Sequence, residues 1–275
     1  MMAPGGSYAE YALSHAHTTF HLPKSTTFEE GAAIPLAAMT AAVGLYARLG
    51  LPEPWLPVGR KGQGKNSEKE GEVQEGKVPL VVYGASSAVG SYVIQFAQKS
   101  NVHPIICIAG RAQEHVQKLI SPEKGDTIID YRKGDEAVVQ GIRDALKGQK
   151  LEYAYDAVSE KGSYQNIGKV LDPHTGRITN VLPGKKYEGL PEGVKQTLTT
   201  VGAVHGVPDD LKDFGYVYFR YISKGLAEGW FKAQRTEVIP GGLEGIEKGL
   251  WQLKDGTVSA VKYIYRIADT PGVSQ

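Results

Sequence analysis

Beyond residue 79 the chain alternates short apolar runs with longer stretches in which apolar residues recur every third or fourth position. The runs are "PLVVYG", "HPIICIAG", "DTIIDY", "EYAYDAV" and "GRITNVLP"; between them lie "AVGSYVIQFAQKS", "AQEHVQKLI", "DEAVVQGIRDALKG" and "KGSYQNIGKVL". A short continuous apolar run bounded by turn residues reads as a strand buried on both faces, and the longer periodic stretches read as amphipathic helices. Strands alternating with helices at this spacing predict βαβ units, hence an α/β chain with a doubly wound parallel sheet and right-handed crossovers.

The flanks are less regular. "YAEYAL" alternates and reads as a short β-like piece, whereas "TTFEEGAAIPLAAMTAAVGLYARLG" predicts a helix capped by Thr27, with Glu29 and Glu30 in the first turn, where the helix dipole favours anions. Pro35 splits that stretch into two helical pieces meeting near "IPLAA". Residues 59–77, "GRKGQGKNSEKEGEVQEGK", hold almost no apolar side chain to offset the entropy of ordering and predict a flexible surface loop. After Pro183, "TLTTVGAVHG" reads as a strand, "DLKDFGYVYFRYISKGLAEGWF" and "LEGIEKGLWQLKDG" as helices, and "AVKYIYRIA" as a final strand. No internal repeat is visible.

Composition narrows the function classes. A chain of 275 residues is long enough for two unequal domains. Lys and Arg number 31 against 30 Asp and Glu, so no global field draws in nucleic acid or an anionic membrane. The single cysteine, Cys107, sits in the apolar run "IICIAG", where it reads as a small packed hydrophobe with no disulfide partner. Together with an amino terminus lacking an apolar leader, and the lack of any run long enough to span a membrane, this points to an intracellular, cytoplasmic protein.

The turn in "VVYGASSAVGSYVIQFA" carries the candidate chemistry. A dinucleotide turn needs small residues, so that backbone amides approach the pyrophosphate at a helix N-terminus. In the G-x-G-x-x-G frame the three key places are taken by Ala85, Ser87 and Gly90, with Ser86, Ala88 and Val89 between them. An ordinary tight strand-to-helix connection fits the same residues, but the position on the first strand of a βαβ series favours a dinucleotide. At the end of the second strand, "AGRAQEH" offers Arg111 and no preceding acid, which favours NADP over NAD. A solvated arginine on the first turn of a helix is the other reading.

The motifs "GGSYAEY", "AAIPLAAMTAAVGLY", "VVYGASSAVGSYVIQFA", "DTIIDYRKG", "YDAV" and "VSAVKYIYRIADTPG", in this order, resemble the medium-chain dehydrogenase/reductase superfamily. They look most like its fungal branch of zinc-independent quinone reductase-like and trans-acting enoyl reductase proteins. The likeness covers nearly the whole chain except residues 59–77. It implies a Rossmann domain inserted into a GroES-like catalytic domain, with substrate bound in the cleft between them. The expected organisation is a catalytic remnant and linking helix at 1–57, a loop at 58–78, a Rossmann core at 79–205, and a return to the catalytic domain over 206–275.

The same resemblance implies site residues. Tyr131 matches a tyrosine set against the adenosine 2′-phosphate, though it also fits as an aromatic covering the sheet edge. Leu182 and Pro183 fall where backbone meets the nicotinamide, Val258 and Ser259 where a segment closes over it. Thr40 matches a threonine near the nicotinamide, and fits equally as a helical threonine bonded to its own backbone. Zinc-dependent relatives carry a cysteine ligand where this chain has Leu36, whose alkyl side chain has no lone pair, so no catalytic metal is expected. "HAHTTFH" is the one rival, since His15 and His17 would share a face of a strand.

The implied reaction is NADPH-dependent hydride transfer to a small molecule, an α,β-unsaturated thioester or ketone or a quinone, by a monomer or homodimer pairing through "TLTTVGAVHG". No acid–base set stands out; Tyr8 and Tyr11 lie in the catalytic part and either donate a hydrogen bond or pack. The resemblance also implies that the chain begins inside the catalytic domain. The alternative expectation is therefore a non-catalytic NADP(H)-binding protein or a truncated fragment.

Overall fold

The computed structural model describes residues 6–56 and 78–273. The loop expected at 58–78 lies, but for Val78, outside the described residues. The chain forms two compact units, one of Met1–Thr40 with Thr200–Gln275, the other of Ala41–Thr199.

In the unit built from both chain ends, helix α1 spans Phe28–Ala32. Thr27 caps it: its hydroxyl accepts from the Glu30 amide at 3.2 Å, and the Glu30 carboxylate accepts from the Thr27 amide at 2.8 Å. Helix α2, Pro35–Ala42, begins at the proline, whose missing N–H is no loss in a first turn. The two pieces therefore meet where Pro35 predicts. "YAEYAL" corrects the expectation: it forms no strand, and Tyr8, Tyr11 and Leu13 are exposed. Alternation alone does not make a strand, because an isolated extended segment leaves its backbone without a partner.

The histidines are also placed differently. His15 precedes a single 3-10 turn, Ala16–Thr18, that contains His17, so no strand face holds them. Their rings stack at 5.2 Å, and the His205 ring joins them at 5.8 and 6.2 Å.

The second unit holds a sheet of six parallel strands: β1 Leu80–Tyr83, β2 Ile105–Ala109, β3 Thr127–Asp130, β4 Tyr153–Asp156, β5 Arg177–Asn180 and β6 Lys195–Leu198. Their order is β3-β2-β1-β4-β5-β6. The connecting helices are α3 Ala88–Lys99, α4 Gln113–Gln117, α5 Asp135–Leu146 and α6 Ser163–Gly168. On one face Val81, Ile106, Ile142, Ile167 and Ile178 form one buried cluster. Burying each such side chain is worth about 1.5–3 kcal/mol.

On the other face Tyr155, the register partner of Val82, closes on Gly44 in a widened helical turn, Val43–Arg48. That turn is fastened to α3 by the Tyr46 hydroxyl, which donates to the Phe96 carbonyl at 3.1 Å and lies 2.9 Å from the Ser100 hydroxyl. Helices thus cover both faces, which is why the strands read as continuous apolar runs.

The strand expected over "TLTTVGAVHG" is a second correction. Pairing with β5 ends at Leu198, and Val201–His205 form a 3-10 turn. The Thr200 hydroxyl caps that turn by accepting from the Gly202 amide at 3.3 Å, and Gly206 leaves it at φ 90°. Local i→i+3 bonds replace a ladder there. Beyond it come α7 Lys212–Glu228, β7 Thr236–Val238, α8 Ile246–Lys254 and β8 Lys262–Ile264, with β7 and β8 paired in parallel. Phe219 of α7 stacks on Phe20 at 5.6 Å, and Arg266 pairs with Glu29 at 2.7 Å, so both chain ends share this unit. No helix among the described residues is long and apolar enough to cross a membrane.

Candidate cofactor site

The turn after β1 is built for close approach. Gly84 sits at φ 77°, and a Cβ there would lie 2.7 Å from Val158 Cγ2. The amides of Gly84 and Ala85 donate to the Ile108 carbonyl at 3.1 and 3.0 Å, tying the turn to β2. Ala85 is fully buried. Ser87 is the N-cap of α3, its hydroxyl accepting from the Gly90 amide at 3.0 Å, a role that glycine in the same place does not fill. Gly90 rests directly on the turn: a Cβ there would overlap the Gly84 carbonyl oxygen and lie 2.8 Å from Ala85 Cα. Ser86, Ala88 and Val89 are part-exposed. The amides of Ala88 and Val89, in the first turn of α3, have no helical carbonyl to bond, so they and the helix dipole favour an anion at this spot.

Arg111 is exposed just beyond β2, next to Gly110. Gly110 is where Tyr131 packs, since a Cβ there would lie 2.6 Å from the tyrosine's Cε1. Tyr131, half-exposed after β3, is thereby drawn beside Arg111 at neighbouring strand ends. Asp130, the last residue of β3, is engaged by Arg132 through Nε at 2.9 Å and Nη2 at 2.6 Å, and by Gln113 at 2.8 Å. These hydrogen bonds to Arg132 hold the Asp130 carboxyl well below the usual carboxylate range.

At the ends of β4 and β5 lies a polar hub that the sequence reading missed. Asp156 is fully buried, and its Oδ1 accepts from the amides of Val158 at 3.0 Å and Ser159 at 2.8 Å. Its Oδ2 accepts from the Ser163 hydroxyl at 2.6 Å and the Asn180 amide at 3.3 Å. Burial pushes the Asp156 pKa up, against the pull of these donors. Leu182 and Pro183, both exposed, follow β5. The Tyr187 hydroxyl donates to the Leu182 carbonyl at 2.6 Å, and Lys185 lies 5.1 Å over the Tyr164 ring. The legible trace of the hub was the strand-ending aspartate of "YDAVSEKGS", a residue type that binds amides two and three positions on.

Strand order brings these parts together. The turn, Arg111 and Tyr131 follow β1, β2 and β3, while Leu182 and Pro183 follow β5, across the point between β1 and β4 where the winding reverses. Open parallel sheets bind ligands outside the carboxyl ends of their strands at such a point. The other three expected residues belong to the other unit. There the Thr40 hydroxyl donates to the Leu36 carbonyl at 2.7 Å, as in the backbone-bonded reading, and Leu36 is exposed. Val258 is half-buried and Ser259 exposed, between α8 and β8.

Among the described residues no group of three or more His, Cys, Asp or Glu side chains is disposed to hold a metal ion. Cys107 is wholly buried, and that burial pushes its thiol pKa well up, which suits packing rather than reaction.

No family model matches the chain. It is 55% identical over 242 residues to the trans-enoyl reductase fsr4 of Gibberella fujikuroi, covering 88% of this chain and 67% of that protein. It is 28% identical over 284 residues to the trans-enoyl reductase resD of Aspergillus sclerotiorum, covering 95% of this chain and 74% of that one. Among solved structures it resembles the CurK enoyl reductase, with a TM-score of 0.66 at 17% identity over 91% of this chain and 66% of that one. A putative zinc-dependent alcohol dehydrogenase from Rhizobium etli gives 0.67 at 19% identity over 89% and 66%. The chain thus spans about two thirds of the length of several proteins it matches.

Proposed function

The chain belongs to the trans-enoyl reductases, within the medium-chain dehydrogenase/reductase superfamily of nicotinamide-dependent oxidoreductases, and from that premise we propose that it uses NADPH to reduce an α,β-unsaturated thioester. An enone or a quinone is the other acceptor class. The observation that carries this reading is the majority identity to the Gibberella fujikuroi trans-enoyl reductase.

When bound, the cofactor supplies the hydride, and the protein's part is to hold and orient it. In this reading the first-turn amides of α3 take the pyrophosphate, with Gly84, Ala85 and Gly90 keeping the backbone within reach. Arg111 and Tyr131 take the 2′-phosphate. Support for the phosphorylated cofactor comes from Asp130, whose charge is matched by Arg132 rather than left to repel a phosphate. Backbone at Leu182 and Pro183 meets the nicotinamide. The working form is cytoplasmic, a monomer or a homodimer.

The test is to titrate the full chain with NADPH by fluorescence, then follow NADPH consumption with an enoyl thioester, an enone and a quinone. Consumption with the thioester is the expected result. Binding without turnover on any acceptor overturns the reductase reading and leaves a cofactor-binding protein; no binding overturns both.

A further inference from the structure

We propose that Ser159 is a positioning residue for the nicotinamide end of the cofactor, its buried hydroxyl setting the course of the chain through residues 181–183. The inference rests on the reading that Leu182 and Pro183 meet the nicotinamide.

Ser159 is fully buried and adopts φ 63°, a left-handed conformation that non-glycine residues seldom keep without compensating contacts. Every polar atom it has is used. Its amide donates to Asp156 Oδ1 at 2.8 Å, and its hydroxyl donates to the Asp156 carbonyl at 3.1 Å while accepting from the Val181 amide at 2.8 Å. Its own carbonyl accepts from Lys185 Nζ at 3.1 Å. Two of these four bonds belong to the turn after β4, and the other two reach across to the segment after β5.

Val181 is the first residue beyond β5, where the ladder to β4 has ended at Asp156 and Asn180. A side-chain oxygen therefore takes the place of the next ladder carbonyl and aims the backbone that carries Leu182 and Pro183. If the turn required only a left-handed residue, glycine would adopt that conformation with less strain. Serine adds the one atom that the neighbouring segment needs.

Two variants of the full chain test this against two probes, NADPH and its adenosine-end fragment 2′,5′-ADP. Ser159→Gly keeps the backbone conformation and removes the hydroxyl. Lys185→Ala removes the bond to the Ser159 carbonyl and the contact over the Tyr164 ring from an exposed side chain, and leaves the Ser159 hydroxyl and its bonds in place. For Ser159→Gly the NADPH Kd is expected to rise about fivefold, the effect of one ordinary hydrogen bond, with loss of nicotinamide emission and 2′,5′-ADP affinity kept within about twofold. Lys185→Ala should shift NADPH the same way by a smaller factor. Equal weakening of both probes in Lys185→Ala, or unchanged NADPH affinity in both variants, overturns the proposal alone. Failure of the unsubstituted chain to bind either probe overturns the cofactor reading and the proposal with it.

Discussion

Gly90 lies against the carbonyl oxygen of Gly84, so the first turn of α3 and the end of β1 touch with no side chain between them. In the proposed reading this contact sets how closely the amides of the turn approach the pyrophosphate. Gly90→Ala is expected to weaken NADPH binding by about tenfold or more and to lower stability by about 1–3 kcal/mol, the range for forcing atoms into a packed site. Fluorescence titration and denaturant unfolding measure the two effects. A variant that binds NADPH as tightly as the unsubstituted chain would show that the turn is only a connection.

In the proposed reading Arg111 and Tyr131 take the 2′-phosphate. Charged hydrogen bonds contribute about 1.5–3 kcal/mol, so Arg111→Ala should raise the NADPH Kd about tenfold or more and leave NADH affinity within about twofold. Equal loss for both cofactors would place Arg111 elsewhere than at the 2′-phosphate. The ratio of the two dissociation constants is the measurement.

Gly44 and Tyr155 provide a control in the same unit, away from the strand ends. A Cβ at Gly44 would overlap Tyr155 Cε2 and lie 2.7 Å from Cζ, and Tyr155 is fully buried. Gly44→Ala is expected to destabilise the chain by about 1–3 kcal/mol without altering the ratio of NADPH to NADH affinity. Unchanged stability would mean that the Tyr155 ring is not held against the turn.

His205 makes stability depend on pH. Burial lowers its pKa, and the neighbouring His15 and His17 lower it further. The folded chain therefore binds fewer protons at this site than the unfolded chain, whose imidazole titrates near about 6.5, so stability falls as pH drops below that value. Of the other charged groups nearby, Asp210, which senses His17, has its own pKa lowered chiefly by hydrogen bonds to Lys212, and stays ionised through this range. The melting temperature should decline on acidification from pH about 7 to about 5, and less steeply in His205→Gln. Parallel profiles for the two proteins would remove His205 as the cause.

The legible features are those whose cause is local. Alternating apolar runs and amphipathic stretches predict the parallel sheet, because a strand covered on both faces has no polar side to show. Thr27 and Glu30 announce α1, since a capping box needs only residues three apart, and Pro35 marks the start of α2 for the same reason. Small residues at 85, 87 and 90 announce the turn. Only the tertiary structure decided whether a segment able to extend would find a partner: "YAEYAL" found none, and "TLTTVGAVHG" paired only through Leu198 before turning.

The positions of Ser159, Gly110 and the three histidines were likewise decided by residues distant in the chain: Val181 and Lys185 for the first, Tyr131 for the second, and His205 for the pair near the amino terminus. Local propensity determines which elements the chain is able to form. Hydrogen bonds and van der Waals contacts between elements become available only once the strands are ordered side by side, so they alone decided where those elements end and which side chains meet at the strand ends.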